Sequence, residues 1–314
     1  MRLPWLSVIM PVFNGRATLN DALSSLADQC DGIEIIAVDQ GSTDGSRDVL
    51  QAAQTSLPIR IIDNPEGKSW TENTNIGLRA ASAPLVTMLH QDDIWANGRA
   101  ALLKDMSNRH QDVDIWVHGA ALIDEQGRTI GQMGPPFGNA RRALHCEQAL
   151  SHLIVQNTIA LPSVMFRRDV ALHKGGLDEE LWYTADWDLW LDLAENGLVW
   201  DPACAAAFRI HASSLTMTGS RDLHAFRHQL DVPLDRHLPN LPERLATRLR
   251  RLAQASNALN VCLAGLHHRS IHGVGRALSS FLMLGPLEWR RFFISTQIKN
   301  RLAPRLKLAL KRGT

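Results

Sequence analysis

The sequence of 314 residues has one tyrosine, four cysteines and a formal net charge of only +1. Near-neutrality removes the global electrostatic case for nucleic acid, which needs an excess of basic charge. Cys30, Cys146, Cys204 and Cys262 are scattered and show no metal-ligand spacing. They read as reduced or buried thiols of a cytoplasmic protein, not as a zinc site or a disulfide framework. No run approaches the roughly 18 apolar residues that cross a bilayer, so any contact with a membrane would be at its surface. The opening MRLPWLSVIMPVFN leads directly into a strand pattern and lacks the basic and apolar regions of a signal peptide. Internal repeats and low-complexity segments are absent too. The stretch from 290 to 312 lacks acids while carrying many bases.

What is present is alternation. Short apolar or β-branched runs at 6–12, 33–38, 59–62, 85–89 and from 114 predict strands. Helical spacing between them predicts helices at 17–27, 44–54, 73–81 and 98–108. This order predicts an α/β fold, a mostly parallel central sheet flanked by helices. Ligands of such sheets sit beyond the carboxyl ends of the strands. Residues 131–142, rich in Gly and Pro, predict a loop, 175–196 a helix, and 203–218 a strand followed by a Ser/Thr-rich loop. From 221 onward the pattern is helical, with a long helix at 243–263.

Four clusters carry chemistry. Asp39-Gln40-Gly41-Ser42-Thr43-Asp44-Gly45 ends the second strand. A carboxylate there can accept from a base N–H or a ribose hydroxyl, and the glycines let backbone approach a ligand; it also suits a plain strand-to-helix turn with a cap. His90-Gln91-Asp92-Asp93 follows the fourth strand. Adjacent carboxylates suit a hard divalent ion, or caps for a helix around Trp95. Around Asp186, Asp188 and Asp192 a carboxylate at a helix start can serve as general base on a hydroxyl. Arg209-Ile210-His211-Ala212-Ser213-Ser214 offers an Arg for a diphosphate and a His for metal or proton.

The order of these motifs resembles family 2 glycosyltransferases of the GT-A (Rossmann-like) fold. The match is carried by SVIMPVFNG, AVDQGSTDGS, Asn75-Ile76-Gly77, LVTMLHQDDIW, LIDEQG, PSVMFRRDV, GGLDEELWYTADWDLWL and FRIHASSLT, over residues 5 to 218. The resemblance implies that Pro11, Phe13 and Asn14 flank the nucleotide base, that Asp39 holds it, and that the motif after strand four binds ribose and a divalent metal, Mn2+ or Mg2+. Its second acid maps to Asp92, while His90 stands in place of its first acid, beside Gln91. Gln40 stands where an acid is common. The catalytic base maps to Asp186, preceded by Ala185 where the family has Glu. His211 maps to a residue reaching metal or diphosphate, and Arg209 would meet the diphosphate. The implied reaction is transfer with inversion from a nucleotide-sugar donor to a glycan or lipid-linked acceptor. The Gln-x-x-Arg-Trp motif of processive members is not found, which favours addition of a single sugar.

Two rivals stand beside this. A nucleotidyltransferase would need a Gly-x-Gly-x-Arg loop after strand one, where this chain has Pro-Val-Phe-Asn. A degenerate binding protein that keeps the fold without turnover is suggested only by His90 and Ala185. The expected organisation is a glycosyltransferase domain at 1–218, with a nucleotide-sugar half at 1–118 and an acceptor half at 119–218, and a helical extension at 219–314. In the tail, Trp289, Phe292, Phe293, Ile294, Ile298, Leu302, Leu306 and Leu308 alternate with Arg290, Arg291, Lys299, Arg301, Arg305, Lys307, Lys311 and Arg312. That composition fits bundle helices, and it equally fits an interfacial helix on anionic lipid. The expected location is cytoplasmic, peripheral at the inner face of the plasma membrane.

Overall fold

A computed structural model describes residues 3–211, 219–271 and 273–311, side chains at 219 and 305–311 excepted. Ala212, Ser213 and Ser214 lie outside these residues, as do Arg312 and the side chains of Arg305, Leu306, Lys307, Leu308 and Lys311.

β1 (Leu6–Val12) is buried along its length and β2 (Ile33–Asp39) nearly so. Strands covered on both faces cannot alternate apolar with polar side chains, hence the unbroken apolar runs. With β3 (Ile59–Asp63) and β4 (Leu85–Met88) they form a parallel unit in the order β3-β2-β1-β4. Helices α1 (Arg16–Ser24), α2 (Ser46–Ala53) and α3 (Trp70–Ala80) connect them. Val8, Met10 and Ile35 pack with Leu19 of α1 and Leu50 of α2, whereas Ile9, Ile36 and Val38 pack with Leu78 of α3. The two sets alternate along each strand, so the sheet has a separate core on each face. α3 lies so close to β1 that a Cβ at Gly77 would strike Ile9.

Past β4 the sheet is mixed. β9 (Val164–Arg167) runs antiparallel between β4 and β6 (Ile115–Ile123), and β10 (Leu198–Arg209) runs parallel to β6. β5 (Ile94–Trp95) closes the edge antiparallel to β10, while β7 (Thr129–Met133) and β8 (Arg142–Leu144) pair with β6 and β10. The continuous parallel order therefore belongs to the first four strands, where helices make the crossovers, with β6 and β10 as a separate parallel pair. Two local expectations change. The Gly/Pro-rich loop is confined to 134–141 by β7 and β8. Trp95 lies in a strand ahead of α4 (Arg99–Arg109): its ring is 2% exposed and stacks under the Arg99 guanidinium, 4.3 Å from the centroid.

The other helices are α5 (Cys146–Leu153), α6 (Arg168–His173), α7 (Ala185–Leu193), α8 (Leu223–His237), α9 (Glu243–His267), α10 (Val274–Leu282), α11 (Pro286–Thr296) and α12 (Ile298–Lys311). The C-terminal helices share a core with the sheet: Phe226, Leu230, Leu234, Leu252 and Phe292 join the cluster that holds Phe166, Trp187 and Trp190. α12 folds back onto β7, where a Cβ at Gly131 would strike Pro304. Phe292 and Ile298 are buried and Trp289 stacks on Phe281 with centroids 5.3 Å apart. These three residues of the expected lipid-facing set are thus used for packing the bundle. Between 274 and 296, the large apolar side chains that are exposed are Leu278, Leu282, Met283, Leu287, Phe293 and Ile294. Among the described residues no helix is long and apolar enough to cross a membrane.

Candidate active site

The first part of the site is built where β1 and β2 end. Asp39 is the last residue of β2 and is buried; its carboxylate accepts from the Ser42 hydroxyl at 2.6 Å and the Ser42 N–H at 3.3 Å. Asn14 leaves β1 at a φ of 48°, a left-handed turn that Asn tolerates better than most residues. Its Oδ1 accepts from the Thr43 N–H at 2.9 Å, and its own N–H donates to Ser42 Oγ at 3.0 Å. The Gln91 amide clamps the backbone of Phe13 at both ends: Oε1 accepts from the Phe13 N–H at 2.8 Å and Nε2 donates to its carbonyl at 3.0 Å. A Cβ at Gly15 would collide with Gln91. Phe13, Asn14, Asp39 and Gln91 are therefore brought together. The Phe13 ring is 51% exposed beside a buried carboxylate, a combination able to stack and hydrogen-bond a planar base. Pro11 differs from expectation. It is buried within β1 opposite Val38, one position before the end of the strand.

Gln40 belongs to a polar network of its own. Its Nε2 donates to the Gly67 carbonyl at 2.8 Å and its Oε1 accepts from Asn73 at 2.8 Å, while Asn73 accepts from Asn64 at 2.8 Å. A carboxylate could not donate to Gly67. The amide in place of an acid is thus required by this loop.

The second part follows β4. His90 is half-buried and edge-on to Trp70, centroids 5.3 Å apart, and its Nε2 is buried without a hydrogen-bond partner. Burial pushes its pKa down, opposed by the Asp92 charge. Asp92 Oδ2 lies 2.8 Å from His211 Nε2. Burial pushes the Asp92 carboxyl up, but the His211 hydrogen bond and the charges of His90 and His211 prevail and hold it below the usual carboxylate range. The same hydrogen bond raises His211.

Arg209, at the end of β10, is 3% exposed. Its Nε donates to the Asp92 carbonyl at 2.8 Å, its Nη1 to the carbonyls of Asp124 and Glu125 at 3.2 and 3.1 Å, and its Nη2 to the Asp21 carboxylate at 3.2 Å. This corrects the expected diphosphate contact: the guanidinium pins three strand ends together and is engaged by protein oxygens. Asp93, the second of the two adjacent carboxylates after β4, is buried, with Oδ1 accepting from the Arg209 N–H at 3.0 Å. Burial, together with the charge of Asp92, pushes it well above the carboxylate range. Behind it Arg99 is fully buried, donating to His118 Nε2 and Thr87 Oγ1 at 2.9 Å each and to the Pro162 carbonyl. Burial, aided by the Arg99 charge, brings His118 down to about 3, leaving it a neutral acceptor.

The third part is Asp186, in the first turn of α7. Its Oδ1 accepts from the Trp187 N–H at 2.7 Å and its Oδ2 from Asn157 Nδ2 at 3.1 Å. Burial pushes its carboxyl up to about 6, against the pull of both bonds. Asn157 carried no sequence signal. Asp188 and Asp192, on the same helix, are engaged elsewhere: Asp188 with Arg236 at 2.6 Å and His237 at 3.1 Å, Asp192 with Lys174 at 3.4 Å. Asp192, Glu195 and His237 come within 4.8 Å of one another, and both acids of this group already pair with Lys174. A groove of about 420 Å³ between α1 and α2, lined by Arg16, Asn20, Leu23, Asp48 and Val49, includes none of Asp39, Asp92 or Asp186.

The chain is similar to known proteins in sequence and in fold. Residues 7–155 match the model of Glycosyl transferase family 2. An uncharacterized glycosyltransferase of Rickettsia prowazekii is 26% identical over 228 residues, 71% of this chain and 69% of the relative. The GalNAc(5)-diNAcBac-PP-undecaprenol beta-1,3-glucosyltransferase of Campylobacter jejuni is 34% identical over 128 residues, 40% of each chain. The crystal structure of S. aureus TarS 1-349 in complex with UDP-GlcNAc superposes with a TM-score of 0.63 at 14% identity, covering 91% of both chains. The mannosyltransferase PcManGT of Pyrobaculum calidifontis, in complex with GDP-Man and Mn2+, does so with a TM-score of 0.59 at 14% identity, covering 98% of this chain and 87% of that one. Residues 7–155, which hold the acids and amides at the ends of β1, β2 and β4, are thus similar to Glycosyl transferase family 2, and the sheet beneath them has the GT-A fold of these glycosyltransferases.

Proposed function

We propose that the chain transfers a single sugar, with inversion, from a nucleotide-sugar to a hydroxyl of a glycan or lipid-linked acceptor, with Asp186 as general base. The observation that carries this is the Asp186 carboxyl, raised to about 6 by burial at a helix start. A base works best when its pKa lies near the operating pH. Asp186 would take the acceptor proton as that oxygen attacks the anomeric carbon. Phe13, Asn14 and Asp39 would hold the nucleotide base, with Gln91 fixing the Phe13 backbone. The donors bound in the complexes of TarS and PcManGT support the nucleotide-sugar class.

The donor set fits a divalent ion. Asp92 offers a carboxylate and His211 an imidazole at mutual hydrogen-bond distance, with a second imidazole, His90, holding an unpaired Nε2 nearby in sequence. Mixed oxygen and nitrogen donors suit Mn2+ better than Mg2+. When bound, such an ion supplies positive charge to the leaving diphosphate. Arg209 contributes by fixing Asp92 and Asp93. Residues 1–118 would serve the donor, 119–218 the acceptor and chemistry, and 219–314 would support them. The exposed apolar side chains of α10 and α11, flanked by exposed Arg276, Arg290 and Arg291, would rest on an anionic bilayer at the inner face of the plasma membrane.

The test is donor turnover with UDP-, GDP- and dTDP-sugars, with and without Mn2+ or Mg2+, in wild type and Asp186→Asn. The expected result is an active wild type and an inactive variant that still binds donor. Equal turnover in both removes Asp186 as the base.

A further inference from the structure

Asp186 takes one of its two hydrogen bonds from a residue outside its own helix. Asn157, the donor, lies in the irregular stretch between α5 and β9, where no ladder fixes the backbone. Two contacts orient it. Its Oδ1 accepts from the Ile159 N–H at 3.1 Å, which turns its NH2 group to the carboxylate, and its carbonyl accepts from Gln156 Nε2 at 3.3 Å. Gln156 is 5% exposed, and its Oε1 accepts from Ser256 Oγ at 2.8 Å and Asn260 Nδ2 at 2.9 Å, both on α9. Asn260 Oδ1 accepts in turn from Arg301 Nη2 of α12 at 2.8 Å. Ser256 and Asn260 are buried in a helix face that otherwise packs Leu252, Ala253 and Ala255. Buried amides cost stability unless fully bonded, and apolar side chains would serve packing alone. Here the polar atoms form a continuous chain from the C-terminal helices to the loop that holds Asp186.

We propose that Gln156 and Asn157 are positioning residues for Asp186, and that α9 and α12 take part in the reaction by fixing them. This rests on the reading of Asp186 as the base. Both donors to its carboxylate are neutral, and the charged groups on its helix are engaged elsewhere, Asp188 by Arg236 and His237 of α8 and Asp192 by Lys174.

The titration of Asp186 can be read without any ligand, by carbon-13 NMR of the full chain, with Asp186→Asn identifying its signal. Asn157→Ala is expected to raise its midpoint by about half a unit to one unit, the worth of a lost hydrogen bond to the charged form. Gln156→Leu is expected to raise it in the same direction by less. Asn257→Leu is the control. It removes a neighbouring buried amide of α9 that bonds instead to the Leu230 carbonyl and the Asp231 carboxylate. It is expected to leave the midpoint in place. A midpoint unmoved in Gln156→Leu, or moved as far by Asn257→Leu, overturns the proposal. If Gln156→Leu does not fold, Ser256→Ala, which removes one of its two donors, carries the same comparison. Turnover of UDP-GlcNAc or GDP-Man undiminished in Asp186→Asn would end the base reading while leaving the titration result in force, so the two failures are separable.

Discussion

His211 Nε2 and Asp92 Oδ2 meet at 2.8 Å across 119 positions of sequence. The contact joins the segment after β4 to the one after β10, and each group raises the other's charged form: His211 is moved up and Asp92 down. If a divalent ion binds here as proposed, it would take Asp92 and replace the proton on His211. His211→Ala is therefore expected to weaken Mn2+ binding by about tenfold or more, measured by calorimetry in the presence of UDP or GDP. His90→Asp, which adds a hard oxygen donor, is expected to strengthen it. Mn2+ affinity unchanged in both variants would remove this pair as the ion's seat.

The second expectation concerns the pH profile. Asp186 must be ionised to accept a proton, and its carboxyl lies at about 6. Turnover at saturating donor should fall on the acid side with a midpoint near 6 rather than near 4, where an ordinary Asp titrates. A profile flat down to pH 5 would contradict the role given to this residue.

The strand ends were legible because they are local. An apolar run closed by Asn14, by Asp39 or by His90-Gln91-Asp92 announces itself within a few residues. The proposed base, Asp186, was pointed to by the resemblance, and what the structure adds is that burial in the first turn of α7 raises its carboxyl. What the sequence hid is long-range. Asn157 reaches Asp186 across 29 positions, and Arg209 reaches Asp21 across 188, contacts no spacing rule can foresee. The Arg209 role changed for that reason, because a guanidinium free to meet phosphate and one sealed under three strand ends look identical in sequence. In the tail, Phe292 is 2% and Phe293 49% exposed, and apolar residues on several sides of a short helix do not reveal which side is covered.

That distinction alters how membrane contact should be tested. Removing residues from 287 onward would strip Phe292 and Ile298 from the core and confound binding with unfolding. Leu278 and Leu282 lie on α10, a helix with no buried residue. The double variant Leu278→Ser, Leu282→Ser should keep its melting temperature within a few degrees, since surface substitutions shift stability by about half a kcal/mol each. Flotation with phosphatidylglycerol vesicles should fall several-fold relative to wild type, and flotation with neutral phosphatidylcholine should be weak in both. Equal flotation of variant and wild type with the anionic vesicles would exclude this face.

The last expectation follows from the same carboxyl by linkage. The folded-state pKa of Asp186, about 6, lies above the ordinary value of 3.8. Between those values the native chain binds more protons than the unfolded chain, so stability falls as pH rises from about 4 to about 6 and is level above that. The full difference is an upper bound of about 3 kcal/mol. Asparagine carries no charge but turns an NH2 group to one of the two donors, Trp187 N–H or Asn157 Nδ2, a pH-independent loss. Relative to wild type, Asp186→Asn should therefore gain a few degrees in melting temperature between pH 4 and pH 7.5, whatever its offset at pH 4. A difference between variant and wild type that stays constant over this range would mean that the carboxylate is better solvated in the fold than its burial implies, and the raised pKa that suits it to be a base would have to be abandoned.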